Sequence, residues 1–213
     1  MKTLILNGSP HAKSGNTEIF IRNFAKGFES PYEVRYVLQE DAEQLAEYLL
    51  QFDTVIIAMP LYIHAMPGIV MRLIEHMKAA SGEGNAIGFI VQSGFVESSQ
   101  SQYLERYLRT MAKRLNYIYL GTVIRGNSAG ISMMPEKMNQ KLFKSLIDLG
   151  KYFDETRTFN KDIVDEFAKP YRLSKVQNGF MTFLYKVGIG NFIWNQMLKS
   201  NDALEKRFDK PFI

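Results

Sequence analysis

The residues best suited to binding chemistry lie near the N-terminus, in a segment rich in glycine and hydroxyl groups. Residues 4–17 read LILNGSPHAKSGNT, so a short apolar run is followed by a polar loop and then by a helical pattern. Gly8 and Gly15 allow the backbone to turn tightly. Hydroxyl and amide donors come from Ser9, Ser14, Asn16 and Thr17. Because the first amides of a helix are free and its N-terminal end is positive, this segment predicts a phosphate site.

The loop lacks two nucleotide-binding motifs that a phosphate site often carries. The spacing GxxxxGK[ST] does not occur, and the nearby Lys13 precedes the second glycine. GxGxxG is also absent, and no acidic residue ends a second strand at the expected place. A single phosphate monoester therefore fits the loop better than a nucleoside triphosphate or a dinucleotide. A loop that caps its helix without binding a ligand is the alternative.

The composition limits the chemistry that the side chains can perform. The 213 residues include no cysteine, which excludes disulfides, thiolate metal clusters and thiol nucleophiles, and which fits a cytoplasmic location. With three histidines, no HExxH and no paired-carboxylate motif, we expect no dedicated metal site. No signal peptide is expected, and no apolar stretch approaches the roughly 18 residues of a membrane span. We expect the chemistry to come from an organic cofactor.

The hydrophobic pattern alternates between strands and helices along most of the chain. Apolar runs typical of strands occupy residues 4–6, 32–38, 54–59, 86–92 and 117–124. Helical patterns occupy residues 18–28, 42–50, 67–78, 104–115 and 135–153. Strands separated by helices indicate an α/β fold, with a doubly wound parallel sheet covered on both faces.

Three distinctive loops follow strands of this predicted sheet. They read GSPHAKSGNT, MPLYIHAMPG and QSGFVESS. In such sheets ligands bind beyond the carboxyl ends of the strands, so we expect the three loops to converge on one site. Pro60 and Pro67 stiffen the second loop, whose apolar and aromatic side chains suit a flat ring system. Ser93 and Gly94 in the third loop allow a close approach to the backbone.

Two of these loops carry a resemblance to a known family. GSP-x-x-x-SGNT after the first strand and P-L-Y-x-x-x-M-P-G after the third are similar to motifs of the flavodoxin-like NAD(P)H-dependent FMN reductases and NAD(P)H quinone reductases. The resemblance covers about residues 1–155 and implies a five-stranded flavodoxin-like sheet of order 2-1-3-4-5. Residues 156–213 are expected to form a helical C-terminal extension, packed on the domain or on a dimer partner.

The resemblance also implies how FMN is bound. Residues that cradle its phosphate are Ser9, His11, Ser14, Gly15, Asn16 and Thr17. Residues that line the isoalloxazine are Pro60, Leu61, Tyr62 and Ile63, and the other side is closed by Ser93, Gly94 and Phe95. Many relatives carry arginine at the position of His11, so we expect a weaker and pH-dependent phosphate contact here.

By the same resemblance the chain is an FMN-dependent NAD(P)H oxidoreductase. Electrons pass by ping-pong hydride transfer from NAD(P)H through the flavin to a quinone, a flavin or a similar small acceptor. The candidate catalytic residues are His64, which can stabilise reduced flavin or donate a proton, and Tyr62, which can stack on the ring. The alternatives are that His64 is bonded to the backbone and that Tyr62 only packs. A non-enzymatic flavodoxin-like electron carrier or redox sensor is the alternative function.

The basic charge of the chain is concentrated near its C-terminus. Residues 1–167 carry 18 basic and 19 acidic side chains, whereas residues 168–213 carry eight and three. One helical face there collects Val176, Phe180, Phe183, Leu184 and Val187. This face either packs on the domain or across a homodimer interface, lies on an anionic membrane surface, or caps the flavin. A homodimer is expected because a second subunit often completes the flavin pocket in the resembling families. No nucleic-acid-reading motif occurs, so we expect no nucleic-acid partner.

Overall fold

The computed structural model describes residues 2–80, 84–188 and 191–210, apart from the side chain of Ile193. Within it the chain forms two compact units, Met1–Tyr171 and Arg172–Ile213. The first unit continues beyond residue 155, the predicted end of the flavodoxin-like domain. A short helix, Lys161–Phe167, follows the long helix Glu136–Thr156 and buries Phe167 in the core of the first unit. The hydrophobic pattern of the sequence did not reveal the bounds of this short helix.

Five parallel strands form the sheet of the first unit, in the order β2-β1-β3-β4-β5. This result confirms the predicted α/β flavodoxin-like architecture. The strands are β1 (Thr3–Asn7), β2 (Tyr32–Tyr36), β3 (Thr54–Pro60), β4 (Ala86–Gln92) and β5 (Ile118–Arg125). β1, β3 and β4 are buried along their whole length, as expected for strands covered by helices on both faces.

Helices cover both faces of this sheet. The helices of the first unit are α1 (Asn16–Ala25), α2 (Ala42–Tyr48), α3 (Gly68–His76), α4 (Gln102–Arg114), α5 (Glu136–Thr156) and α6 (Lys161–Phe167). Successive residues of β1 point to opposite faces, so Leu4 and Leu6 pack with α2, α3 and α4, whereas Ile5 packs with α1, α5 and α6.

Glycine allows α1 and α5 to approach each other closely on the second face. A Cβ atom added to Gly150 would collide with the carbonyl oxygen of Phe24, and one added to Gly27 would collide with that of Ile147. This contact fixes α1 against the sheet and thereby fixes the position of its N-terminus at the carboxyl edge.

The second unit contains α7 (Lys175–Lys186) and α8 (Phe192–Ser200). α7 begins with a capping box, in which Gln177 N donates to Ser174 Oγ at 3.2 Å and Ser174 N donates to Gln177 Oε1 at 2.9 Å. No residue of α7 is buried. In the part of the chain that the structure describes, no helix combines the length and the apolar character needed to cross a membrane.

Candidate functional site

The loop between β1 and α1 folds tightly upon itself. Ala12 N donates to Ser9 O and Ser14 N donates to His11 O, both at 3.0 Å, and Ala12 has a positive φ of 43°. A Cβ atom on Gly15 would lie 2.8 Å from Ser9 Oγ and 3.0 Å from His11 Cβ. Gly15 is therefore required by close packing inside the loop.

Asn7, the last residue of β1, clamps this loop to the helix that follows it. Its Oδ1 accepts a hydrogen bond from Ser9 N at 3.0 Å, and its Nδ2 donates to Glu18 Oε2 at 2.9 Å and to Ala12 O at 3.3 Å. Asn7 is fully buried, so these bonds satisfy its amide. Asn7 is not among the predicted site residues, although a polar residue that closes an apolar strand is a usable signal.

The N-terminus of α1 presents free backbone donors beside the loop. Gly15 is the N-cap residue and supplies no side-chain acceptor, while Glu18 N donates to Gly15 O at 3.1 Å. The amides of Asn16 and Thr17 have no acceptor among the described residues. Two free amides at the positive end of a ten-residue helix could hold an anion such as a phosphate group.

The hydroxyl groups predicted to contact phosphate lie within the loop and mainly hold its shape. Ser9 Oγ accepts from His11 N at 3.2 Å, and Ser14 Oγ donates to His11 O at 2.8 Å. Thr17 Oγ1 accepts from Gln92 Nε2 at 3.3 Å. Ser9 and Thr17 are buried and His11 is exposed. The structure therefore brings the predicted residues together. The Ser9 and Thr17 hydroxyls accept in these bonds, so each keeps its own O–H as a donor beside the backbone amides.

Asn16 joins the helix terminus to a fourth loop, residues 126–130, which follows β5. Its Nδ2 donates to Ser128 O at 2.8 Å and to Ala129 O at 3.3 Å. The buried Ser128 hydroxyl contacts Gln92 Oε1 and Ser93 O. Gln92 and Ser128 were not predicted as site residues, although Gln92, like Asn7, closes an apolar strand.

The third and fourth loops are packed against each other. Asn127 N donates to Phe95 O at 2.6 Å, and Ser128 N donates to Ser93 O at 2.8 Å. A Cβ atom on Gly126 would lie 2.6 Å from Phe95 O, so this glycine permits the contact. The loop around Ser93, Gly94 and Phe95 thus has a fixed position at the sheet edge.

The second loop contains a tight two-residue turn at its tip. Tyr62 and Ala65 exchange backbone hydrogen bonds of 2.9 and 3.0 Å, and the residues between them, Ile63 and His64, have φ values of 47° and 63°. This left-handed conformation is unusual for a β-branched residue. Ile63 is nevertheless 87% exposed, so the turn holds a large apolar side chain in the open.

His64 and Phe95 connect the second loop to the third. Their rings stack with centroids 5.4 Å apart and planes 5° from parallel. His64 Nδ1 lies 3.3 Å from Gln100 O, a contact in which Nδ1 carries the hydrogen because a carbonyl oxygen only accepts. His64 is thus bonded to the backbone, as one of the two interpretations of this residue predicted.

Tyr62, Pro60 and Leu61 lie along the same edge. Pro60 and Leu61 are buried at the end of β3, and Leu61 N donates to Gln92 O at 2.8 Å. Tyr62 is exposed over part of its surface, and partial burial raises the pKa of its hydroxyl. Because tyrosine normally titrates near about 10, Tyr62 is a neutral hydrogen-bond donor at neutral pH.

Several buried polar atoms at this edge have no partner in the described residues. They are Asn16 Oδ1, Ser93 Oγ and Arg125 Nε. Burial lowers the pKa of Arg125, which the carboxylate of Glu166 partly offsets. Buried polar atoms are normally hydrogen-bonded, so an edge with unpartnered atoms on α1, on the third loop and at the end of β5 fits a polar ligand. Together with the free amides of α1, these atoms fit the phosphate and the polar ring edge of FMN.

Solved structures with the same fold include several reductases. The chain is 20% identical to an NADPH-quinone reductase from P. pentosaceus, over 70% of this chain and 96% of that one, with a TM-score of 0.54. It is 14% identical to an FMN-dependent NADH-azoreductase from Bacillus anthracis in complex with FMN, over 72% and 100%, with a TM-score of 0.57. An NAD(P)H:quinone oxidoreductase from Methanothermobacter marburgensis is 10% identical over 72% and 97%, with a TM-score of 0.56.

No protein-family model matches the chain, and no curated protein sequence matches it either. At identities of 20% or less, the similarity to solved structures lies in the fold. The chain has the flavodoxin-like fold that these NAD(P)H-dependent reductases share, as the resemblance of its first two motifs predicted.

Proposed function

We propose that this chain is an FMN-dependent NAD(P)H oxidoreductase that reduces a quinone, a flavin or a similar small acceptor by a ping-pong mechanism. The observation that carries the proposal is the pair of free amides of Asn16 and Thr17 at the start of α1. Support comes from the similar structures, which are an NADPH-quinone reductase, an FMN-dependent NADH-azoreductase in complex with FMN and an NAD(P)H:quinone oxidoreductase.

The first loop binds the phosphate in this proposal. The amides of Asn16 and Thr17 donate to the phosphate oxygens, and the positive end of α1 favours the negative charge. Asn7 and Gly15 keep the loop in the conformation that leaves these amides free. His11 is exposed in the same loop and offers a ring nitrogen as a further hydrogen-bond donor to the phosphate.

The second and third loops position the ring system. Tyr62 and Ile63 present exposed apolar surface, while Ser93 Oγ offers an unpartnered polar atom on the adjacent loop. When bound, FMN supplies two-electron redox chemistry, which allows hydride transfer from NAD(P)H followed by reduction of the acceptor. His64 leaves Nε2 available to the ring system, since Nδ1 faces Gln100 O. A second copy of the chain completes the open side of the site.

Flavin titration combined with a turnover assay tests the proposal. FMN is added to the purified apoprotein while flavin fluorescence is followed, and NAD(P)H oxidation is then measured with quinone, azo and flavin acceptors. We expect fluorescence quenching and acceptor-dependent oxidation of NAD(P)H. Binding without turnover would support the alternative, an electron carrier or redox sensor, and absence of binding would contradict both.

Two glycine-to-alanine variants test whether FMN binding depends on the first loop. Gly15→Ala is expected to weaken FMN binding by about tenfold or more, because the new methyl group displaces the Ser9 side chain or the adjacent amides. Gly179→Ala is the matched control, since a Cβ atom there meets nothing within 4 Å. Equal FMN affinities of the two variants would contradict the proposed phosphate site.

A further inference from the structure

The second unit exposes an unusual amount of aromatic surface. On α7, Phe180 is 60% exposed and Phe183 is 57% exposed, and on α8 Trp194 is 60% exposed. Val176 on α7 and Val187, which directly follows the last residue of α7, complete the same row, with spacings of four, three and four residues from 176 to 187. This spacing places the row on one side of the helix. The row and Trp194, with the lysines described next, are called the aromatic–basic surface below.

The charge of the chain lies on the same unit. Residues 172–213 carry seven basic and three acidic side chains, a net charge of +4, whereas residues 1–171 carry nineteen of each sign. From residue 169 to residue 201 the sequence contains no aspartate or glutamate. Lys175 and Lys186 lie at the two ends of α7, and Lys199 lies in the last turn of α8.

We propose that the aromatic–basic surface binds an anionic lipid membrane. Exposed aromatic residues enter the headgroup region, where tryptophan and tyrosine are enriched, and lysines contact anionic headgroups. α7 and α8 are 12 and 9 residues long, well below the about 20 residues of a spanning helix, so this surface lies on the bilayer. The proposal does not depend on the proposed reductase function.

Charge distinguishes this partner from a second copy of the chain. Pairing two copies of this surface would bring two units of like charge together, with no carboxylate between residues 169 and 201 to accept the lysines. An anionic membrane instead supplies the opposite charge in excess. The observed charge pattern therefore favours a lipid surface.

Fluorescence of Trp194 reports membrane binding directly, because Trp194 is the single tryptophan of the chain. Its emission is recorded while vesicles of phosphatidylglycerol and phosphatidylcholine are added, and vesicles of phosphatidylcholine alone serve for comparison. We expect a shift to shorter wavelength and cosedimentation with the anionic vesicles only. High ionic strength should weaken both, because salt screens the lysine–headgroup attraction.

Two sets of variants distinguish the contribution of the lysines to vesicle binding from that of the aromatic side chains. Lys175→Gln combined with Lys186→Gln should lower the vesicle partition coefficient by about tenfold or more. The matched control, Lys137→Gln combined with Lys144→Gln, removes two exposed lysines from α5 and should leave partitioning nearly unchanged. Phe180→Ser combined with Phe183→Ser should abolish the Trp194 shift. FMN binding, measured on the same samples, should be unaffected by every variant.

Three results would overturn the inference. The first is no binding to anionic vesicles, and the second is equal binding to vesicles of phosphatidylcholine alone. The third is a Trp194 emission that is already shifted without vesicles and that returns to longer wavelength, with dissociation of a dimer, in the Phe180→Ser, Phe183→Ser variant. That last result would assign the surface to a second copy of the chain.

Discussion

The loop between β1 and α1 and the turn between β3 and α3 lie at the same sheet edge but are built in opposite ways. The first loop is closed by hydrogen bonds among its own residues and Asn7, and it buries Ser9 and Thr17. The turn is closed by two backbone bonds between Tyr62 and Ala65, and it exposes Ile63. One loop therefore offers backbone amides, and the other offers apolar side chains.

This difference explains how one sheet edge suits a ligand with two unlike ends. Free amides at a helix N-terminus favour an anion, whereas an exposed tyrosine and isoleucine favour a flat apolar group. The turn holds non-glycine residues in the left-handed region, where each costs about 1–2 kcal/mol. Strain of this kind is concentrated at ligand sites, so the conformation of Ile63 and His64 points to a binding role for the turn.

The largest expected effect comes from breaking the clamp of the first loop. Asn7→Ala removes three hydrogen bonds from a fully buried side chain and leaves Ser9 N and Glu18 without that partner. We expect the free energy of unfolding to fall by about 3 kcal/mol, measured by urea denaturation, with loss of FMN binding. Asn139→Ala, which removes one buried hydrogen bond to Ile131 O, is the control and should cost about 1 kcal/mol. Equal losses in the two variants would show that Asn7 does not clamp the loop.

The second prediction concerns the strain in the turn. Ile63→Gly should raise the free energy of unfolding by about 1 kcal/mol, because glycine adopts a positive φ without steric cost and the exposed side chain gives up little packing. Thermal unfolding measures the change. Ile63→Ala keeps the steric cost and should give no such gain. An equal rise in the free energy of unfolding in both variants would show that relief of the positive φ is not its cause.

The sequence predicted the sheet and the convergence of its loops well. The predicted strand 86–92 and the observed β4 have the same bounds, because a buried apolar run there ends abruptly at polar residues. α6 lies within the predicted helical extension, but its bounds were not predicted, since seven residues with few apolar positions give a weak helical pattern. The phosphate, ring and catalytic contacts assigned by resemblance stay predictions.

The sequence pattern did not predict which residues form hydrogen bonds with each other at the site. Thr17 and Gln92 are 75 residues apart, and Asn16 and Ser128 are 112 apart, yet each pair is joined by a hydrogen bond. Such pairs depend on the order and register of the strands, which the local pattern does not encode. A polar residue at the end of a buried strand is the local signal that points to Asn7 and Gln92.

The third prediction measures how strongly the two loops around the ring site are coupled. A double-mutant cycle of His64→Ala and Phe95→Ala should give a coupling energy of about 0.5 kcal/mol, because the rings stack but are exposed. Denaturation of the four proteins measures it. A cycle of His64→Ala with Tyr103→Ala, an exposed aromatic residue on α4, is the control and should give no coupling. A zero value for the first cycle would mean that the stack contributes nothing to loop position.

The smallest expected effect is a change in pH dependence at Tyr62. Partial burial raises the pKa of this hydroxyl, so above about pH 10 the unfolded chain loses the proton more readily than the folded protein. The folded state then binds more protons, and stability falls as pH rises through that range. Tyr62→Phe removes this contribution, and the variant should therefore lose less stability than the natural chain between about pH 9 and 11. Tyr103→Phe is the control. Parallel stability–pH profiles for the natural chain and Tyr62→Phe would show that folding does not raise the pKa of the Tyr62 hydroxyl.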